Sequence, residues 1–146
     1  MKKTIITIFS SITTLFIAGT VYAHCQVPCG IYEDDLVFKQ MVLDATTIKK
    51  SISEIKKLSK LKPVNYNQII RWTEEKSRSA NNIMNNASNY FLAQRIKNAD
   101  KNYIEELKLL HSIIVSAMKT KQSLEKTNMN SLSQDIKKFE VIYKSK

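Results

Sequence analysis

From residue 38 onward, apolar side chains recur every three or four positions. Phe38, Met41, Ala45, Ile48, Ile52 and Ile55 form one such stripe, with Lys49, Lys50, Lys56 and Lys57 lying off it. That spacing is the signature of an amphipathic helix. It breaks at LKPVNY, around Pro63, and resumes through Ile69, Thr73, Ala80, Ile83, Ala87 and Phe91 until Asn98-Ala99-Asp100. A third segment carries Ile104, Leu107, His111, Ile114 and Met118. After the polar stretch Thr127-Asn128-Met129-Asn130, a fourth carries Leu132, Ile136, Phe139 and Tyr143, and Ser131 with Gln134 fits a capping box at its start. No strand alternation competes. The pattern predicts an all-α fold over residues 33–146, an antiparallel up-and-down four-helix bundle whose methionine and aromatic stripes form the core.

The first 23 residues follow a different rule. Lys2 and Lys3 precede an uncharged apolar stretch from Ile5 to Ala18, and Val21 and Ala23 put small side chains at the minus-three and minus-one positions of a cleavage site. The apolar stretch is shorter than the ~20 residues of a membrane span. A cleaved signal peptide over residues 1–23 is the expectation, with signal peptidase as the maturing partner and the periplasm, cell envelope or exterior as the destination. His24 separates Ala23 from Cys25, which argues against a lipoprotein signal. Cleavage would remove two lysines, taking a chain of 146 residues and net charge +10 to one of 123 residues and +8, with His24 at its amino terminus.

Composition narrows the chemistry. The chain has two residues each of Gly, Pro, Cys and His. Average proteins carry about 7% glycine, so glycine-dependent Rossmann, P-loop and turn-rich β folds are disfavoured. Two cysteines cannot build a four-cysteine zinc site or a multi-disulfide framework. Five of these eight scarce residues, His24, Cys25, Pro28, Cys29 and Gly30, fall within seven positions. In an exporting compartment, the simplest reading of Cys25 and Cys29 is one small-loop disulfide. A second reading is a metal site. The freed α-amine of His24 and the amide nitrogen of Cys25 close a five-membered chelate ring, and the Cys25 thiolate closes another. Cys29, turned back by Pro28, adds a fourth donor, and the His24 imidazole stands as an axial one. Two nitrogens and two sulfurs in a plane suit Ni(II) or Cu(II) better than zinc. In the uncleaved chain the amine is a peptide nitrogen, so the site would exist only after cleavage.

The segment HCQVPCGIY closely resembles the hook of nickel superoxide dismutases, His-Cys-x-x-Pro-Cys-Gly-x-Tyr. All six fixed positions match: His24, Cys25, Pro28, Cys29, Gly30 and Tyr32. The resemblance implies a homohexamer of four-helix subunits with one nickel ion each. It implies disproportionation of superoxide to dioxygen and hydrogen peroxide as nickel cycles between Ni(II) and Ni(III). His24, Cys25 and Cys29 would be the metal ligands. Asn89-Tyr90-Phe91 resembles the family segment with a second active-site tyrosine, so Tyr32 and Tyr90 would bound the open face of the metal. Two positions depart from the pattern. Gln40 stands where the family has a carboxylate near the axial histidine, and Lys76 and Arg78 are the nearest candidates for its basic partner.

Charge adds little to this. Lysines spread over several segments and alternate with acids, as in Glu54-Ile55-Lys56-Lys57, which reads as solvated helix faces. Neither a nucleic-acid partner nor stable membrane association is expected. The surplus could steer anionic superoxide. His111, with no other ligand type at metal spacing, reads as packing or surface. Two alternatives to the enzyme remain: a non-enzymatic exported nickel- or copper-binding helical protein, and a structural bundle with a Cys25–Cys29 disulfide.

Overall fold

Four helices account for nearly all of residues 33–145, the part of the chain that the computed structural model describes. The segments read above as signal peptide and hook, including His24, Cys25, Cys29 and Tyr32, lie outside the described residues. Helix α1 spans Asp34–Leu58 and α2 spans Tyr66–Asn85, continuing without interruption as a π-helical segment, Asn86–Arg95. Helix α3 spans Tyr103–Gln122 and α4 spans Lys126–Lys144. Termini are marked by simple electrostatics. Asp34 and Asp35 open α1 while Lys56 and Lys57 close it, each charge opposing the partial charge of the helix end. The Asn65 side chain caps α2 by accepting from the Gln68 amide at 3.1 Å.

Each helix packs on its chain neighbours, and α4 closes the ring against α1. Polar pairs fix the antiparallel register. Asn82 on α2 donates to Asp44 on α1 at 3.4 Å, and Ser112 on α3 donates to Asp135 on α4 at 2.6 Å. One end of the bundle therefore gathers the start of α1, the end of the π segment, the start of α3 and the end of α4.

The α1 stripe is buried throughout, as are Ala80, Ile83, Ala87 and Phe91 from the second segment. Leu132, Ile136 and Phe139 of the fourth complete this side of the core, while Ile69 and Tyr143 are half-buried and Thr73 is exposed. The third stripe is corrected. Ile104, His111 and Met118 are exposed, Leu107 and Ile114 only half-buried, and α3 instead buries Leu109, Leu110, Ile113 and Ala117. Helix α3 carries two apolar tracks. The buried one was masked in the sequence by Glu106, Ser116 and Thr120, which are buried beside it. Thr120 meets its own need by donating to the Ala117 carbonyl at 2.7 Å. The start of α4 is also corrected. The helix begins at Lys126, so the polar stretch and Ser131 lie inside it, and the break from α3 is only three residues long. Burial of Met129 and Leu132 on the same face draws the polar stretch into the helix.

Candidate metal centre

The chain enters the described structure at Glu33 and turns at once into α1. Asp34, in the first turn, is the point on which four elements of side-chain chemistry converge. Its Oδ1 accepts the hydroxyl proton of Tyr90 at 2.5 Å, and its Oδ2 accepts that of Tyr143 at 2.7 Å. Arg95 Nε lies 3.2 Å from Oδ1, and Arg95 Nη2 donates to the Tyr90 oxygen at 2.9 Å. Next to this knot, Lys144 bridges Asp35 at 2.8 Å and Glu140 at 2.7 Å.

The π segment makes the Tyr90–Arg95 contact. In an α-helix, residues five apart diverge by about 140° around the axis. The wider π winding, with its i to i+5 bonding, brings them onto one side. The Arg95 guanidinium accordingly lies 4.9 Å from the Tyr90 ring centroid. The local sequence favours this departure. Asn85, Asn86, Ser88 and Asn89 are weak helix formers, and the Ser88 hydroxyl donates to the Met84 carbonyl at 2.8 Å, pulling on the α-helical ladder.

Beneath the knot lies an aromatic cluster that seats both tyrosines. Phe91 packs at 4.7 Å from Phe38, 4.9 Å from Phe139 and 5.3 Å from Tyr143, and the Tyr90 ring meets it edge-on at 5.1 Å. These are the tilted and edge-to-face distances that aromatic quadrupoles prefer. Burial, followed by the Asp34 carboxylate, pushes both phenols above the ordinary tyrosine value, Tyr143 the further. Arg95 pulls Tyr90 the other way. The Tyr90 bond in turn raises Arg95. Lys144 holds Asp35 below the usual carboxylate range.

Of the residues singled out in the sequence, Tyr90 sits at the bundle end where the chain arrives from residue 32. Gln40 is exposed and donates to Asp44 at 3.1 Å. Its two basic candidates are occupied elsewhere. Lys76 is buried and donates to the carbonyls of Thr120 at 2.7 Å, Lys121 at 3.0 Å and Ser123 at 3.3 Å, capping the end of α3. Arg78 pairs with Glu75 on its own helix. His111 is exposed. Asp34, Arg95 and Tyr143 escaped the sequence reading. Only the tyrosine at the polar tip of the α4 stripe hinted at them, since its hydroxyl needs a partner when buried. Lysines that look scattered also gather in space. Lys49, Lys56, Lys57, Lys60 and Lys126 surround a groove of about 810 Å³ at the opposite end of the bundle.

Among the described residues, no group of three or more His, Cys, Asp or Glu side chains could hold a metal ion. Both cysteines of the chain and one of its two histidines fall instead in the segment 24–29. None of the described helices is long and apolar enough to cross a membrane. Comparison with curated proteins and with solved structures gave no match. The sequence does match the family profile of nickel-containing superoxide dismutase over residues 19–146. That span takes in the donor-rich segment, the tyrosine on the π segment and all four helices, so the scaffold and the only thiols in the chain fall under one match. The chain therefore belongs to the nickel-containing superoxide dismutases, oxidoreductases that carry nickel and act on superoxide.

Proposed function

We propose that the nickel of this enzyme is held at the mature amino terminus, by the α-amine of His24, the amide nitrogen of Cys25 and the thiolates of Cys25 and Cys29. The His24 imidazole serves as a further ligand. What supports the reading is the family match across residues 19–146, in a chain whose only thiols are Cys25 and Cys29. The donor set fits the ion. Thiolate and anionic amide donors are electron-rich and stabilise the higher oxidation state, as a Ni(II)/Ni(III) couple needs. Bound nickel supplies one-electron redox chemistry to dismutate superoxide into dioxygen and hydrogen peroxide.

The protein's own residues do the rest. Removal of residues 1–23 by signal peptidase during export frees the His24 amine. Pro28 fixes its φ and withholds an N–H, and Gly30 lets the chain leave the tight turn. Tyr32 and Tyr90 bound the open face and hold solvent or peroxide there. Tyr90 stands on the scaffold beside Asp34, only two residues beyond Tyr32 in the chain. With Gln40 bonded to Asp44, and Lys76 and Arg78 committed elsewhere, the His24 imidazole lacks the carboxylate–cation support of the family pattern. Such support tunes metal affinity. The subunits assemble as a homohexamer. Leu36 and Leu43, two turns apart on α1 and both more than half exposed, supply apolar surface for such contacts.

The test is a chain beginning at His24, loaded with nickel without oxygen and examined by EPR together with a superoxide assay. A rhombic nickel signal and dismutase activity are expected. A chain with one additional residue before His24 should lose both, and retained activity there would refute the amine ligand. Sedimentation of the loaded protein reads the hexamer directly.

A further inference from the structure

The knot at the start of α1 contains no proposed metal ligand, yet it dictates what Tyr90 can do. A phenol has one proton and two lone pairs, an ionised carboxylate only accepts, and a guanidinium only donates. Arg95 Nη2 donates to the Tyr90 oxygen, so the Tyr90 proton runs to Asp34 Oδ1. The Tyr143 proton occupies the other carboxylate oxygen, and Arg95 Nε adds charge to the same group. Each bond in the network has only one direction. Any further partner of the Tyr90 oxygen must bring its own proton. Superoxide carries none, whereas water and hydrogen peroxide do.

We propose that Asp34 is a positioning residue of the dismutase, taking the Tyr90 proton and so presenting that hydroxyl as an acceptor for water and hydrogen peroxide instead of a donor to superoxide. The inference rests on the reading above that Tyr90 bounds the open face of the metal. The surroundings hold the arrangement in place. Arg95 lies on the Tyr90 ring, and Phe91 packs edge-on against it. Tyr143 from α4 locks the second carboxylate oxygen, and the neighbouring Asp35–Lys144–Glu140 chain pairs within itself. Burial and Asp34 keep Tyr90 protonated above the ordinary tyrosine range, so the proton it gives to Asp34 is present throughout the neutral range.

The prediction separates donor from acceptor by means of azide, an anion that, like superoxide, brings no proton. In the nickel-loaded protein starting at His24, Asp34→Ala frees the Tyr90 proton to point outward. Azide inhibition should tighten about five- to tenfold, the size of one net hydrogen bond. Loss of the Asp34 charge alone would also favour an anion, and the double variant D34A/Y90F isolates the hydroxyl. The gain should vanish in it. A gain that persists in D34A/Y90F, or no gain in D34A, would overturn the proposal. If D34A does not fold, Asp34→Asn replaces it, since an amide carbonyl can take only one of the two phenols, and the same comparison with Y90F decides. Titration of tyrosinate absorbance in the nickel-free protein is independent of the metal assignment. Tyr90 and Tyr143 should ionise at lower pH in D34A than in wild type, and unchanged curves would also overturn the role of Asp34. A wild-type protein without nickel signal or activity would instead count against the metal assignment, with the tyrosine titration still judging Asp34.

Discussion

Replacing Lys76 by methionine would remove three hydrogen-bond donors from the end of α3 while keeping the length and apolar stem of the side chain. The ammonium reaches across from α2 to the carbonyls of Thr120, Lys121 and Ser123, three of the acceptors that a helix end leaves without intrahelical partners. The bonds are not equivalent. The contact with Thr120 is buried, whereas those with Lys121 and Ser123 are only partly so, and water can replace the donor at the latter two. One orphaned buried acceptor costs about 1–3 kcal/mol. Loss of a cation at a helix C-terminus adds about 0.3–1 kcal/mol. The cost of burying the ammonium, which pushes its pKa down, is recovered and offsets part of this. A net loss of about 2 kcal/mol is expected, which for a chain of this size lowers Tm by about 8 °C. Urea unfolding followed by circular dichroism measures it, with the m-value as a control for two-state behaviour. A K76M protein within about 0.5 kcal/mol of wild type at unchanged m would refute the reasoning. It would mean that Lys76 fills space without holding the helix end.

The remaining predictions concern the core, the tyrosines and charge. Phe91→Ala empties the centre of the aromatic cluster and should cost about 3–5 kcal/mol; because Tyr90 packs edge-on against that ring, activity measured well below Tm should fall too, and a loss of stability alone would separate the two. Tyr90 and Tyr143 have folded pKa values raised above the ordinary 10.0. Their contribution is therefore complete below about pH 10 and is lost as pH climbs toward their folded values, so Tm should drop in strongly alkaline buffer, and less steeply in Tyr143→Phe. Stopped-flow measurement of superoxide decay should show rates falling with salt at low ionic strength and flattening above about 0.1 M, where the Debye length is about 10 Å. The lysine-rich groove explains the flattening. Lys56 stands 22 residues along α1 from Asp34, about 33 Å at helical rise, while the Asp34 end carries both signs. A steep salt dependence persisting at 0.2 M would place the steering charge closer to the metal.

How far the sequence could be read depended on which physical rule acted at each position. The α1 stripe was legible because one helical face is apolar and the other carries lysines, so burial followed from period alone. Helix α3 resisted the same rule. It has two apolar tracks, and period cannot choose between them. Contact with α2 and α4 selects the track containing Leu110 and Ile113, although Glu106 and Thr120 are buried beside it. The α4 start moved for a related reason. A polar run reads as a break, but tertiary burial of Met129 pays for helical Asn128 and Asn130.

The chemistry divides in the same way. The hook is a local motif, six fixed residues whose donor atoms, and whose dependence on cleavage, follow from covalent structure. That is why it could be recognised without a fold, and why the family match extends over it. The support for Tyr90 is nonlocal. Asp34, Arg95 and Tyr143 lie on three different elements, 56 and 109 residues separating Asp34 from its two tyrosine partners. No spacing rule links them, and the contact between Tyr90 and Arg95 exists only because the segment winds as a π-helix. By itself, the sequence determined the bundle, the basic charge and the metal donors, each an additive property of nearby residues. Only the tertiary structure decided which face of α3 is core, what Lys76 holds and where the Tyr90 proton goes, because each is a competition among groups that the chain brings together only on folding.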